Sequence, residues 1–268
     1  YVIWFASLII SLTDWNIAGK PNYIGIENYK TMFTNDPLFY KSLTVTMYYT
    51  LVSVPIILIA AFLVALLLNQ KVKGLAIFRT IFYIPSIVPV IASSVLWLWL
   101  FNPDFGLLNS ILTSFGLKKM QWIFSETQVI PSLVLMNVWG MGNTMVIFLA
   151  GLQGIPEYLY EAVEIDGGNS WHKFWHVTIP IMTPIIFFNF LMLIIDNLQV
   201  FSKAYVMTEG GPSNASLFYV FYLFRTAFTH SELGYSCALA WILFAIILVV
   251  TIIIFKTSNK WVYYEGED

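Results

Sequence analysis

Long stretches of this chain carry no charge, and shorter polar segments separate them. Ser42 to Gln70 contains no Asp, Glu, Lys or Arg, and neither do Thr80 to Pro103, Thr127 to Pro156 and Leu233 to Phe255. Phe174 to Ile195 is free of them too, apart from His176. Each run exceeds the roughly 20 residues that a helix needs to cross a bilayer. The runs are continuous, as in Val52-Ser53-Val54-Pro55-Ile56-Ile57-Leu58. Barrel strands instead alternate apolar with polar over about 10 residues. A helix satisfies its own backbone hydrogen bonds in lipid, so the pattern predicts an all-α integral membrane protein.

The predicted spans are roughly 1–13, 43–68, 80–101, 129–151, 181–202 and 236–256, about six in all, in a single transmembrane domain over 1–268. Tyr1 to Thr13 is apolar but short and reads as the tail of a span whose start is missing. A cleaved signal peptide fits less well, because no basic leading region is visible. Pro55, Pro85, Pro89 and Pro184 lie in or near spans, where neighbouring helices can re-satisfy the freed carbonyls. Leu217 to Phe224 is apolar but too short to cross. Its aromatics predict an interfacial helix, with packing against the bundle as the alternative.

Composition agrees with the pattern. Of 268 residues, 59% are hydrophobic and 10% charged, against about 25% charged in soluble domains. A net charge of −2 provides no basic surface for nucleic acid. The single Cys237 excludes an internal disulfide and reads as a small buried residue. Positive charge fixes orientation poorly. The dense group Lys71, Lys73 and Arg79, free of acids, leans cytoplasmic, and would put 152–180 and the C-terminal tail on the same side.

The connection 152–180 is longer than a tether requires. Pro156 stops one helix, and a helical piece is expected over about 157–165. A Gly167-Gly168 bend follows, then a second helical piece rich in aromatics that ends at Pro180. Leu159, Ala162, Val163 and Ile165 are expected to form an apolar side, beside the acids Glu157, Glu161, Glu164 and Asp166. Two helices across a bend make a knob suited to a groove on another protein. A helix lying on anionic lipid would be basic rather than acidic.

Here a family resemblance enters. Glu161-Ala162-Val163, three residues, Gly167, nine residues, then Val177-Thr178-Ile179-Pro180 resembles the EAA loop of ABC importer permeases. Val163, Val177 and Ile179 depart conservatively from that pattern, and Asp166 matches the Asp that usually precedes its glycine. Gly25-Ile26-Glu27-Asn28-Tyr29 with Asp36-Pro37, Phe78 to Pro85, Phe101 to Gly106, Thr208 to Pro212 and Arg225 to Phe228 resemble further signatures of carbohydrate permeases. Together they resemble the MalF-like half of a carbohydrate ABC importer and imply the type I permease fold. The resemblance places 152–180 in the cytoplasm as a coupling loop, with Glu161, Ala162, Val163, Asp166, Gly167 and Pro180 meeting an ATPase subunit. It implies a second MalG-like permease subunit, two ATP-binding subunits, an extracytoplasmic solute-binding protein and a carbohydrate substrate. The implied location is a bacterial or archaeal cytoplasmic membrane.

Polar groups kept inside lipid are functional candidates. Asn137, Trp139 and Asn143 lie in the fourth span, Asp196, Asn197 and Gln199 late in the fifth, and Ser86, Ser93 and Ser94 in the third. Amides, carboxylates and aromatic faces are the groups that bind sugars. The resemblance implies pathway positions at Asn137, near Trp139 and Gly140, at Asn197, near Gln199 and Val200, and at Ser86 and Val90. Ser86, Val90 and Val200 differ in type from the maltose-type permease, which argues against maltose itself. The alternative is that the amides join helix to helix, and Asp196 has a further alternative, a cation of a partner subunit.

No Gly-x-x-x-x-Gly-Lys-Ser/Thr phosphate loop occurs, so the chain is expected to hold no cofactor and to leave ATP and Mg to partner subunits. It is read as a transport subunit rather than an enzyme. One rival is an ion-coupled secondary transporter, which usually shows internal repeats and several buried ionisable groups. The other is a membrane enzyme with a metal on His172 and His176, four residues apart on one helix face.

Overall fold

A computed structural model describes residues 2–17, 19–70 and 73–263. Among the described residues the chain is helical. Its helices are α1 (Val2–Ser11), α2 (Glu27–Thr34), α3 (Pro37–Leu68), α4 (Leu75–Ile87), α5 (Val90–Leu100), α6 (Leu107–Ser114), α7 (Val129–Trp139), α8 (Gly142–Gln153), α9 (Glu157–Ile165), α10 (Ser170–Lys173), α11 (Ile179–Leu198), α12 (Tyr219–Phe224) and α13 (Leu233–Ser258). Wide π-type turns join α10 to α11 and extend α12. The only pairings of strand type among these residues are two isolated bridges, Thr13 with Tyr23 and Asn16 with Glu232.

Three helices are long and apolar enough to cross a membrane unbroken: Pro37–Leu68, Ser170–Leu198 and Leu233–Ser258. Two more spans are broken. Leu75–Ile87 and Val90–Leu100 are interrupted at Val88-Pro89, because Pro89 has no N–H and drives Val88 to an extended conformation with ψ of 128°. Val129–Trp139 and Gly142–Gln153 bend by 47° around Gly140 and Met141. Among the described residues the expected spans thus include three continuous helices and two broken ones, and α1 covers 10 residues of the first. Pro55, Pro85 and Pro184 lie within intact helices, as expected.

The described chain forms two compact units. The first takes 1–51, 90–134 and 196–250. Asp36 organises its start. One carboxylate oxygen accepts from Leu38 N at 2.9 Å and Phe39 N at 3.1 Å, capping α3 behind Pro37. The other accepts from the hydroxyls of Tyr222 and Tyr235. Burial, and then the bond to Asp36, push the Tyr222 hydroxyl above its ordinary value, so it stays a donor. Leu217, Phe218 and Tyr219 are fully buried, and Phe221 and Tyr222 are buried. Phe218 packs edge-on to Tyr49, and Tyr219 N–H donates to Thr46 Oγ1 at 2.9 Å. The expected interfacial helix over 217–224 is thus corrected to a segment packed inside this unit.

The second unit takes 52–89, 135–195 and 251–268. Its core joins Ile57, Ala61, Ala65 and Leu68 of α3 to Met145, Phe148 and Leu152 of α8, and to Val177 and Met182. On α3, Ile59, Leu63 and Leu67 are exposed and lie four apart, while the inward positions include alanines. Small residues let helices approach closely. Gly142 shows the same closeness between α4 and α8. A Cβ there would sit 2.7 Å from Ser86 Oγ and 2.8 Å from Phe82 O.

Candidate functional site

The loop 152–180 is built from local rules that its sequence meets one by one. α9 begins behind Pro156, whose extended backbone ends the previous helix. Glu157 in its first turn complements the helix dipole. The helix stops in a Schellman arrangement: Gly168 N–H donates to Val163 O at 2.8 Å and Gly167 N–H to Glu164 O at 3.0 Å. Gly167 sits at φ of +78°, where a side chain is strained. Gly168 is required for a different reason. A Cβ on it would lie 2.5 Å from Val163 Cγ1 and 2.9 Å from Val163 O.

Asn169 then starts the next helix. Its Oδ1 accepts from Trp171 N at 3.0 Å and His172 N at 3.1 Å. The His172 ring completes a capping box with the Asn169 N–H. His176 stacks on His172 with ring centroids 5.9 Å apart. Among the described residues no third His, Cys, Asp or Glu joins them as a metal site. The two arms of the loop are tied together twice. Lys173 pairs with Glu164, and Tyr160 hydroxyl lies 3.1 Å from Thr178 Oγ1. The expected second short helix proves to be the start of a longer one, since Ser170–Leu198 runs without a break through Pro180.

The expected apolar side of α9 divides in two. Leu159, Tyr160 and Val163 pack on the unit's core. Ala162 and Ile165 face outward instead, with Ile165 86% exposed. Tyr158, Glu161, Ala162 and Ile165 form one exposed face at helical spacing, continued by Asp166, Gly167 and Trp171. The division has a simple origin. Apolar residues at 158–159, 162–163 and 165 fill both sides of a nine-residue helix, so no single stripe is defined. The 158-162-165 spacing and the Asn169-Ser170 cap pattern are the sequence signals of the outward face and of the helix that follows the bend.

The intramembrane candidates fall in both units. In the second, Asn137 is half-buried and donates from Nδ2 to Ser53 Oγ at 3.1 Å, a bond that links α7 to α3. Ser86 Oγ donates to Tyr83 O at 2.7 Å within α4 and packs on Gly142. Trp139 and Gly140 are exposed at the bend between α7 and α8. In the first unit, Asn197 is buried, and Asp196 and Gln199 are exposed at the end of α11. Gln199 lines a cavity of about 350 Å³ with Val220, Leu223, Leu243 and Ile247.

Long apolar helices, two of them broken spans, and a braced elbow with one exposed face describe a helical membrane domain. The family profile described as "Binding-protein-dependent transport system inner membrane component" matches residues 35–263, and the chain belongs to that family. It is 42% identical over 267 residues to the probable ABC transporter permease protein YesP of Bacillus subtilis (strain 168), covering 98% of this chain and 86% of the relative. It is 32% identical over 275 residues to the arabinooligosaccharides transport system permease protein AraP of the same organism, covering 100% and 86%. A subunit in the crystal structure of a bacterial alginate ABC transporter shares the fold at a TM-score of 0.81 and 20% identity, covering 89% of this chain and 84% of that one.

Proposed function

We propose that this chain is one permease subunit of an ATP-driven, binding-protein-dependent carbohydrate importer in a bacterial or archaeal cytoplasmic membrane. The observation that bears most on this reading is the exposed face Tyr158, Glu161, Ala162 and Ile165 on a loop whose other side is locked into the core. An apolar face with one acid, held rigid and left open by the described residues, suits a cleft on another protein. The relative named for arabinooligosaccharides supports oligosaccharides as the substrate class.

The mechanism is alternating access. A loaded binding protein docks outside, and ATP closes two cytoplasmic ATPase subunits on this chain's loop and on that of a second, MalG-like permease. The helices rock outward, accept solute, and reopen inward after hydrolysis. Ligand and nucleotide shift the equilibrium only as far as they bind the two states differently. Gly167, strained for any other residue, and the Glu164–Lys173 and Tyr160–Thr178 ties keep the elbow stiff, so displacement of its outer face moves α11. Asn137, Trp139, Gly140, Asp196, Asn197, Gln199 and Ser86 supply the amide, carboxylate, hydroxyl and aromatic chemistry that a passing sugar requires. ATP and Mg belong to the partner subunits.

The test is ATP-driven uptake in vesicles holding the assembled complex. Glu161→Lys and Gly167→Pro are expected to leave ATP hydrolysis running while uptake falls. Normal uptake by both variants would remove the coupling role. A screen of the associated binding protein against sugars identifies the solute, and binding of no carbohydrate by it would overturn the substrate class.

A further inference from the structure

A second cavity in the first unit is untouched by this scheme. It holds about 290 Å³ and is lined by Asp14, Trp15, Asn28, Thr31, Glu232 and Tyr235. Among the described residues no Lys or Arg lines it. Asp14 accepts from Asn22 N at 2.8 Å and Asn22 Nδ2 at 3.1 Å, and these bonds hold its carboxyl below the usual value. It is therefore charged at neutral pH. Among the described residues the Glu232 carboxylate has no hydrogen bond or ion pair, and it is exposed. The nearest exposed cation in sequence to Asn28 and Thr31, Lys30, pairs with Glu27 at 3.6 Å.

Asn28 is the decisive residue. It is only 8% exposed, and its Nδ2 donates to Ser11 O at 2.8 Å and Thr13 O at 2.9 Å. Both partners are acceptors, so the amide nitrogen must face them and the carbonyl oxygen is left on the pocket wall. Among the described residues that oxygen accepts nothing. Trp15 adds an aromatic wall, its indole N–H already committed to Gly19 O at 3.0 Å. Tyr235 is held in place by its hydroxyl's bond to Asp36. The wall thus offers two carboxylates, an unused amide oxygen and an indole, with hardly a free donor.

We propose that this pocket receives an arginine side chain of the extracytoplasmic solute-binding protein. The proposal rests on the importer reading above. A guanidinium brings five donors, a permanent positive charge and a planar face that stacks on indole, which is the complement of this wall. The compartment follows from α3. Asn28 and Thr31 immediately precede the Pro37 end of α3, whereas Leu68 at its other end belongs to the core that holds loop 152–180. A helix that crosses once puts its ends in opposite compartments, so the pocket faces the binding protein.

The experiment titrates loaded binding protein against the whole importer in proteoliposomes and reads uptake. Glu232→Gln is expected to raise the half-saturating binding-protein concentration several-fold, and Glu232→Lys by about tenfold or more. Both should keep the rate at saturation, and the steep salt dependence of the wild type should flatten. Asp14→Asn is the second variant. Reversing one arginine on the binding protein to glutamate should rescue Glu232→Lys. An unchanged half-saturation and salt dependence in Glu232→Lys overturns the proposal. So does a variant that alters only the apparent affinity for solute, because the pocket is then a solute site. Uptake by the wild type that ignores the binding protein defeats the importer reading itself, and the wild-type titration alone reveals that case.

Discussion

Single residues in this protein do work that their chemistry makes specific. Asp36 uses one oxygen to cap α3 and the other to hold two tyrosines. Asp36→Asn keeps a good cap but removes the charge from those bonds. Hydrogen bonds to a charged group contribute about 1.5–3 kcal/mol, so a clear fall in melting temperature of the detergent-purified protein is expected. Tyr222→Phe should give a smaller fall, and no change in either variant would show that Asp36 only caps. Gly167 and Gly168 differ in the same way. Gly167→Ala meets left-handed backbone strain of about 1–2 kcal/mol. It should lower solute transported per ATP hydrolysed. Gly167→Pro should lower it further, because it also removes the donor to Glu164 O and fixes φ on the wrong side. Equal coupling ratios in all three proteins would contradict the rigid-elbow account. The glycine pair was legible in the sequence as a bend, since it obeys a local rule, whereas Asp36-Pro37 entered only as part of a family signature and its capping role came from the structure. The two tyrosines on Asp36 were not legible either, because nothing local announces a partner almost two hundred positions away.

At the scale of elements, α9 and α12 show where patterns run out. Apolar residues occupy both sides of α9, and the inward and outward ones are told apart only by the core beneath them. Ile165→Asp lies on the open face and should leave folding intact while preventing co-purification of the ATPase subunit. Val163→Asp, on the buried face, should destabilise the loop itself. If both variants retain the ATPase, the docking face lies elsewhere. Leu217 to Phe224 is apolar throughout and has no periodicity to read, so an interfacial and a buried helix look the same in sequence. The structure buries it, and Phe218→Ala is therefore expected to cost about 3–5 kcal/mol. Phe228→Ala, at 64% exposure, should cost little. Thermal melts of the two variants separate the cases, and similar small losses would return the segment to the interface. The spans at 80–101 and 129–151 were located correctly by hydropathy, but their breaks depend on how Val88-Pro89 and Gly140 are used.

For the whole molecule, family membership identifies the inner membrane component of a binding-protein-dependent transport system, and the helical fold agrees with it. Uptake by the assembled complex should need ATP and binding protein and should persist when a protonophore collapses the proton gradient. Gradient-driven uptake without ATP would favour the ion-coupled rival. His172 completes the cap of the helix that starts at Ser170, and His176 stacks on it. Chelation is therefore expected to leave the loop's coupling unchanged, as read by the same transport-per-ATP ratio.

The chain's own order of residues determined that it crosses a membrane as helices, where the crossings lie, and where one elbow bends. Those facts depend on stretches without charge, on proline and glycine geometry and on capping residues, all of which act within a few positions. Facing is another matter. Lipid and the protein interior are equally apolar, so hydrophobicity cannot say which side of a membrane helix is covered. Only the tertiary structure put Ile165 outside and Phe218 inside, joined Asp36 to Tyr222 and Tyr235, and gathered Asp14, Asn28 and Glu232 around one cavity, because each of these depends on which distant segments pack together.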